Sequence, residues 1–163
     1  MKQIVLVAID IRSTHNVGAF FRTCDGFGAD LVLTGITPCP SGKPDDTRLP
    51  HIRNKLDKAI SKTALGAEHT VEWRYFATAQ EAITTLKDEG YTVAAIEQDN
   101  QSMPIQSMKD EKLTLLVGPE VTGLPQDTLE LCDVVYEISM IGTKESFNVS
   151  VAAGIALYQA SLL

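Results

Sequence analysis

The stretch QIVLVAIDIRSTHNVGAFFRTCDGFGADLVLTG, residues 3 to 35, decides the fold. Its first seven residues, QIVLVAI, are an apolar run rich in β-branched side chains, as expected for a strand buried on both faces. From about Asn16 to Phe27 the spacing predicts a helix, which closes on two glycines, and DLVLTG then reads as a second strand. Strand, helix and strand in succession build parallel sheets, because parallel neighbours need a crossover between them. Working outward, the pattern repeats. A Pro/Gly-rich loop, ITPCPSGKPDD, leads to a predicted helix over 50–62, and a strand near HTVEWRYF precedes TAQEAITTLKDEG. In that last segment Thr78 and Glu81 stand at capping-box spacing and Gly90 suits a helix end. YTVAAIE and LTLLVG read as two more buried strands, separated by a polar loop containing Met103 and Pro104. Pro125 opens a short helix through Cys132, VVYEI is a last strand, and the tail from about Asn148 is a helix. This alternation predicts an α/β fold, a mostly parallel sheet with helices on both faces, whose ligands collect at the carboxyl ends of the strands.

Length and composition narrow the function. With 163 residues and 44% hydrophobic content the chain is expected to form a single domain over residues 1–163. Cys24, Cys39 and Cys132 are far apart and lack Cys-x-x-Cys spacing, which suggests reduced thiols in a cytoplasmic protein rather than disulfides or zinc. His15, His51 and His69 share no ligand spacing, so no metal is expected. Asp10 stops the first apolar run early, and Asn148, Ser150 and Gln159 interrupt the uncharged tail, so no membrane role is expected. Two nucleotide motifs fail on inspection. GFGADL lacks the third glycine of a dinucleotide fingerprint, and GITPCPSGKP has six residues between its glycines, with Pro44 where a P-loop needs a hydroxyl.

The formal charge of -7 argues against a nucleic-acid partner until its distribution is considered. Residues 43 to 62 hold Lys43, Arg48, Arg53, Lys55, Lys58 and Lys62 against Asp45, Asp46 and Asp57, whereas residues 63 to 163 carry five basic and fifteen acidic side chains. The basic segment suits phosphate contacts; a solvated amphipathic helix is the other reading.

Three further features converge. Arg22 lies between Phe21 and Cys24 in a helix expected to be mostly buried, where a guanidinium needs an anion or an open cleft. In LLVGPEVTGLP, residues 115 to 125, Gly118 and Gly123 at a strand's carboxyl end let backbone amides approach a ligand, and Glu120 can bind a basic group or orient Arg22. In ISMIGTKESFNVSVAAGIALYQ, residues 138 to 159, Ser146 and Asn148 are good capping residues before a helix without charge, which must pack on nearly every side, a second copy of the chain included.

These three segments resemble the motifs of the SpoU (TrmH) family of RNA ribose methyltransferases, within the SPOUT superfamily: NVGAFFR the first, GPEVTG the second and ISMIGTKESFNVSVAAG the third. The resemblance implies a deep trefoil knot in the carboxyl-terminal part of the sheet, S-adenosylmethionine bound there, a homodimer, and methylation of a ribose 2'-hydroxyl in RNA. It implies that Gly118, Ile138, Met140 and Ser146 surround the methyl donor, with Ile96 and Glu97 on a neighbouring strand end. Arg22 is implied as the principal catalytic residue, supported by Asn16, Glu120, Ser146 and Asn148, and the RNA is expected to meet Arg12, Arg22, Arg48, Arg53 and Lys55. The chain is most similar in this respect to minimal single-domain members, which favours tRNA, at the anticodon loop, with rRNA next. It departs from the family in having Ser139 where Ile-Pro-Met is common and Phe147 where leucine is usual; without the proline the donor loop loses a fixed φ. A guanidinium with a pKa above about 12 is a poor base. Arg22 is therefore expected to grip the phosphate beside the target nucleotide and stabilise developing oxyanion charge, while water or a neighbouring group takes the proton. Two alternatives stay open at this point: a noncatalytic RNA-binding or assembly module of the same fold, and a generic doubly wound domain for a small nucleotide.

Overall fold

The computed structural model describes residues 3–42 and 46–163, so Lys43 of the basic segment lies outside the described residues. In chain order the elements are β1 (Gln3–Ile9), α1 (Thr14–Phe27), β2 (Asp30–Thr34), α2 (Pro50–Ala64), β3 (Trp73–Phe76), α3 (Ala79–Asp88) and β4 (Thr92–Ile96). They continue with β5 (Met103–Pro104), β6 (Lys112–Val117), α4 (Gln126–Glu130), β7 (Val134–Glu137) and α5 (Val149–Ser161). All seven strands pair in parallel, in the order β3-β2-β1-β6-β4-β7-β5. Alternation along β1 explains the two layers around the sheet. Ile4, Leu6 and Ala8 enter a core with α1, α2 and α5, while Val5, Val7 and Ile9 enter a second core with α3 and α4. A strand apolar on both faces is what such a sheet requires at its centre.

Local chemistry sets the boundaries. Ser13 caps α1, accepting the Asn16 N–H at 3.3 Å, so the helix begins two residues before the expected Asn16. Thr78 caps α3 by accepting the Glu81 N–H, as its spacing predicts. One expectation is corrected. Met103 and Pro104, read as loop, add an edge strand beyond β7, with Met103 opposite Tyr136; Pro104 has no N–H to contribute and sits at an edge, where that is tolerated. The chain thus travels from β4 out to β5 and back to β6, and β7 later occupies the gap between β4 and β5.

Gly18 fixes the crossing of α1 and α2. A Cβ there would overlap Thr63 Oγ1 and the Ile60 carbonyl oxygen and stand 2.9 Å from the Ala64 backbone nitrogen. The Thr63 hydroxyl donates to the His15 carbonyl at 2.9 Å across the same contact. Gly18→Ala is expected to destabilise by about 1–3 kcal/mol, because backbone atoms must give way. Gly26→Ala, whose Cβ meets nothing, should be neutral or stabilising by roughly 0.5 kcal/mol. Thermal unfolding of the pair separates the two; a Gly18 variant as stable as the parent would contradict this helix contact.

Candidate active site

A cavity of about 320 Å³ opens at the carboxyl edge of the sheet, between the ends of β4 and β6 and the segment joining β7 to α5. Ile96, Glu97, Gly118, Ile138 and Ser146 line it, together with Glu120 and Phe147. Met140 lies on the same segment, partly buried, and is not in the wall.

The turn after β6 is shaped by its glycines. It folds back so closely that a Cβ on Gly118 would stand 2.7 Å from the Leu124 nitrogen and 2.8 Å from the Gly123 carbonyl carbon. Gly123 has φ +68°, and a Cβ there would meet Glu97 Oε2 at 2.5 Å. The Glu97 carboxylate accepts the Leu124 N–H at 3.0 Å through Oε2 and the Gln98 N–H at 3.0 Å through Oε1. Gln98 Nε2 in turn donates to the Glu145 carbonyl at 2.9 Å, on the opposite wall.

Glu120 joins this turn to the start of α1. Its Oε1 accepts from Asn16 Nδ2 at 2.9 Å and from the Ser13 N–H at 3.2 Å, and Oε2 accepts the Arg12 N–H at 3.4 Å. Partial burial opposes its charge, but the hydrogen bonds from Asn16, Arg12 and Ser13 outweigh it and hold the carboxyl below its ordinary pKa. Asn16 is itself buried. The expected tie from Glu120 to Arg22 is not found: among the described residues no hydrogen bond or ion pair joins the two, and the carboxylate anchors the start of α1 instead.

Arg22 is exposed, six residues beyond Asn16 and so roughly 9 Å farther along the axis, and it makes no hydrogen bond or ion pair with any described residue. The buried face of α1 is formed by Asn16, Val17, Gly18, Phe20, Phe21 and Cys24, so the guanidinium is not enclosed by the apolar neighbours that flank it in sequence. Asn148 caps α5, its Oδ1 accepting the Ser150 N–H at 2.9 Å and the Ser150 hydroxyl at 2.7 Å.

The basic residues divide. Arg48 is committed internally: Nε and Nη2 grip the Asp46 carboxylate at 2.8 and 2.6 Å, and Nη1 and Nη2 donate to the Cys39 and Pro40 carbonyls. Hydrogen bonding to Arg48 draws the Asp46 carboxyl down to about 2. Arg53 is partly buried, whereas Arg12, Lys55, Lys58 and Lys62 are exposed. Three contributors to this geometry escape sequence reading: Ser13, the Arg12 backbone and Gln98. Gln98 has a local signal, being a polar side chain just past a buried strand, and so does Ser13, a preferred capping residue at the start of a helix; the Arg12 backbone has none.

Among the described residues no group of three or more His, Cys, Asp or Glu side chains is placed to hold a metal, and no helix is long and apolar enough to cross a membrane. The profile of the SpoU rRNA Methylase family matches residues 3–158. The chain belongs to this family. A 23S rRNA (guanosine-2'-O-)-methyltransferase RlmB from Burkholderia sp. is 33% identical over 160 residues, an alignment covering 97% of this SpoU chain and 59% of that relative. The chain thus spans less than two thirds of the length of such curated relatives. The crystal structure of an AdoMet-bound rRNA methyltransferase from Sinorhizobium meliloti superposes with a TM-score of 0.80 at 21% identity, over 98% of this chain and 56% of that one. A structure described as giving insight into 2-OH methylation of C/U34 on tRNA gives 0.76 at 24% identity, over 98% of this chain and 94% of the other. At these identities the two structures establish the fold, an α/β SpoU architecture.

Proposed function

We propose that this SpoU chain is an S-adenosylmethionine-dependent RNA 2'-O-ribose methyltransferase acting on tRNA. The observation that carries it is the cavity formed by the second and third family segments at the carboxyl edge of β4 and β6. The cavity fits the donor in kind: Ile96, Val117, Ile138 and Ala152 supply apolar wall, and the tight turn at Gly118 brings backbone groups close to the enclosed space. Its volume falls at the lower end of the roughly 300–1,000 Å³ usual for small-molecule sites. When bound there, S-adenosylmethionine supplies an electrophilic methyl carbon on a sulfonium sulfur. Ile96, Gly118, Ile138 and Ser146 would hold it, and Glu120 with Asn16 would fix the α1 start beside it. Arg22, exposed and unpaired among the described residues, would hold an RNA phosphate outside the cavity and so place the target ribose at its mouth.

Topology and surface extend this reading. The placement of β7 between β4 and β5 supports a carboxyl-terminal trefoil knot. Val151 and Tyr158 are exposed at i, i+7 spacing on α5, with Leu162 at its carboxyl cap and Phe147 just before its start also exposed; the helix carries no charged residue, and this supports a homodimer through it. tRNA is preferred because the tRNA-related structure is matched along nearly its whole chain; the RlmB relative keeps rRNA as the second reading.

Calorimetric titration of S-adenosylmethionine, with tritiated methyl transfer to purified tRNA and to rRNA, tests the proposal. Transfer to tRNA ribose supports it, transfer to rRNA alone selects the second reading, and binding without transfer to either favours a noncatalytic module. The basic track has its own check. Arg53→Ala and Lys55→Ala should each weaken RNA binding and lower the slope of log K against log salt by about 1. Arg48→Ala should instead reduce thermal stability, since its guanidinium is spent on Asp46 and two carbonyls. An unchanged slope in the first pair would return α2 to a solvated helix.

A further inference from the structure

We infer that Glu97 and Gln98 form a clasp at the end of β4 that positions both walls of the cavity, Glu97 holding the turn after β6 and Gln98 holding the segment before α5. The inference rests on the donor-site reading above and revises the expected role of Glu97 from donor contact to positioning residue. Each oxygen of Glu97 already accepts a backbone N–H, Leu124 on one side and Gln98 on the other. The backbone of Glu97 is fixed too, its N–H donating to the Tyr136 carbonyl at 3.0 Å in register with β7. Gln98 reaches across to the Glu145 carbonyl, next to Ser146. Two adjacent side chains on one strand end therefore tie together segments that are 27 and 47 residues away in the chain. Gly123 completes the fit, because its bare Cα admits Glu97 Oε2 where a Cβ would stand 2.5 Å away.

A clasp makes demands that a donor contact does not. Among the described residues no other side-chain hydrogen bond joins this turn to the end of β4, so the loss of the carboxylate should be felt before any donor arrives. Amide hydrogen exchange of the full chain without ligand reads this directly. Glu97→Ala is expected to speed exchange at Leu124 about tenfold or more, while Glu97→Gln, which keeps one acceptor oxygen, recovers most of the protection. In titrations with S-adenosylmethionine, Glu97→Ala should raise Kd roughly 10- to 100-fold and Gln98→Ala roughly 2- to 10-fold. Gly123→Ala should weaken donor binding in the parent and weaken it less in a Glu97→Ala background, since the collision is then removed. Unchanged Leu124 exchange in Glu97→Ala, or fully additive Gly123 and Glu97 effects, would overturn the clasp. If the parent binds no S-adenosylmethionine, the donor-site reading fails, and the exchange result still decides whether the clasp exists.

Discussion

Arg22→Ala is expected to lower methyl transfer to RNA by roughly 10²–10³-fold or more while leaving the Kd for S-adenosylmethionine within about twofold. The expectation follows from where the side chain is and what it does not touch. Arg22 is exposed, lines no part of the cavity and has no partner among the described residues. Truncating it opens no core, and alanine is at least as good a helix former, so stability should change by no more than about 0.5 kcal/mol. Lost activity in this variant can then be attributed to the missing phosphate grip. Arg22→Lys keeps the charge without the planar fork and should recover only part of the rate. Single-turnover transfer of a labelled methyl group, with calorimetry for the donor, measures both quantities. An active Arg22→Ala enzyme, or a parallel loss of donor affinity, would remove Arg22 from its assigned role.

The orientation of Arg22 shows where sequence reading reached its limit. Phe21 and Cys24 stand near it in sequence, yet at 100° per residue they point about 100° and 160° away, whereas exposed His15 and Gly26 fall within about 40° of it. Helical angle, not adjacency, predicts its exposure. The alternating core of β1, the Thr78 cap and the glycines at 118 and 123 were legible because each depends on a few neighbouring residues. Sheet order was not, since β7 enters between β4 and β5 through contacts far apart in the chain. The same holds for the site. Its glycine-bearing segments are local and recognisable, but Asn16 and Glu120 meet across 104 residues, and nothing in either segment alone specifies the pairing.

That long-range pair carries the second large effect. Glu120→Ala removes the acceptor for Asn16 Nδ2 and for the Ser13 and Arg12 N–H groups at once. Stability should fall by only about 1 kcal/mol, because the residue is exposed for the most part and water can replace part of what its carboxylate gave. Activity should fall much further, on the order of 10²-fold, since a shift of about 1 Å in the helix that carries Arg22 separates the phosphate grip from the cavity. The pH dependence has a definite sign. The carboxyl titrates below its ordinary range in the folded chain, so its contribution is complete above the ordinary glutamate pKa and disappears as pH falls through the lowered value. The difference in Tm between the parent and Glu120→Gln should therefore be largest near neutrality and close only as pH falls through the lowered value, on the acid side of the ordinary glutamate range. Combining Glu120→Ala with Asn16→Ala should cost little more activity than Glu120→Ala alone, because the carboxylate's loss already breaks the one bond that Asn16→Ala removes. Additive losses would mean that the two side chains act separately, and the tie from the turn after β6 to α1 would then run through the Ser13 and Arg12 N–H groups and not through Asn16.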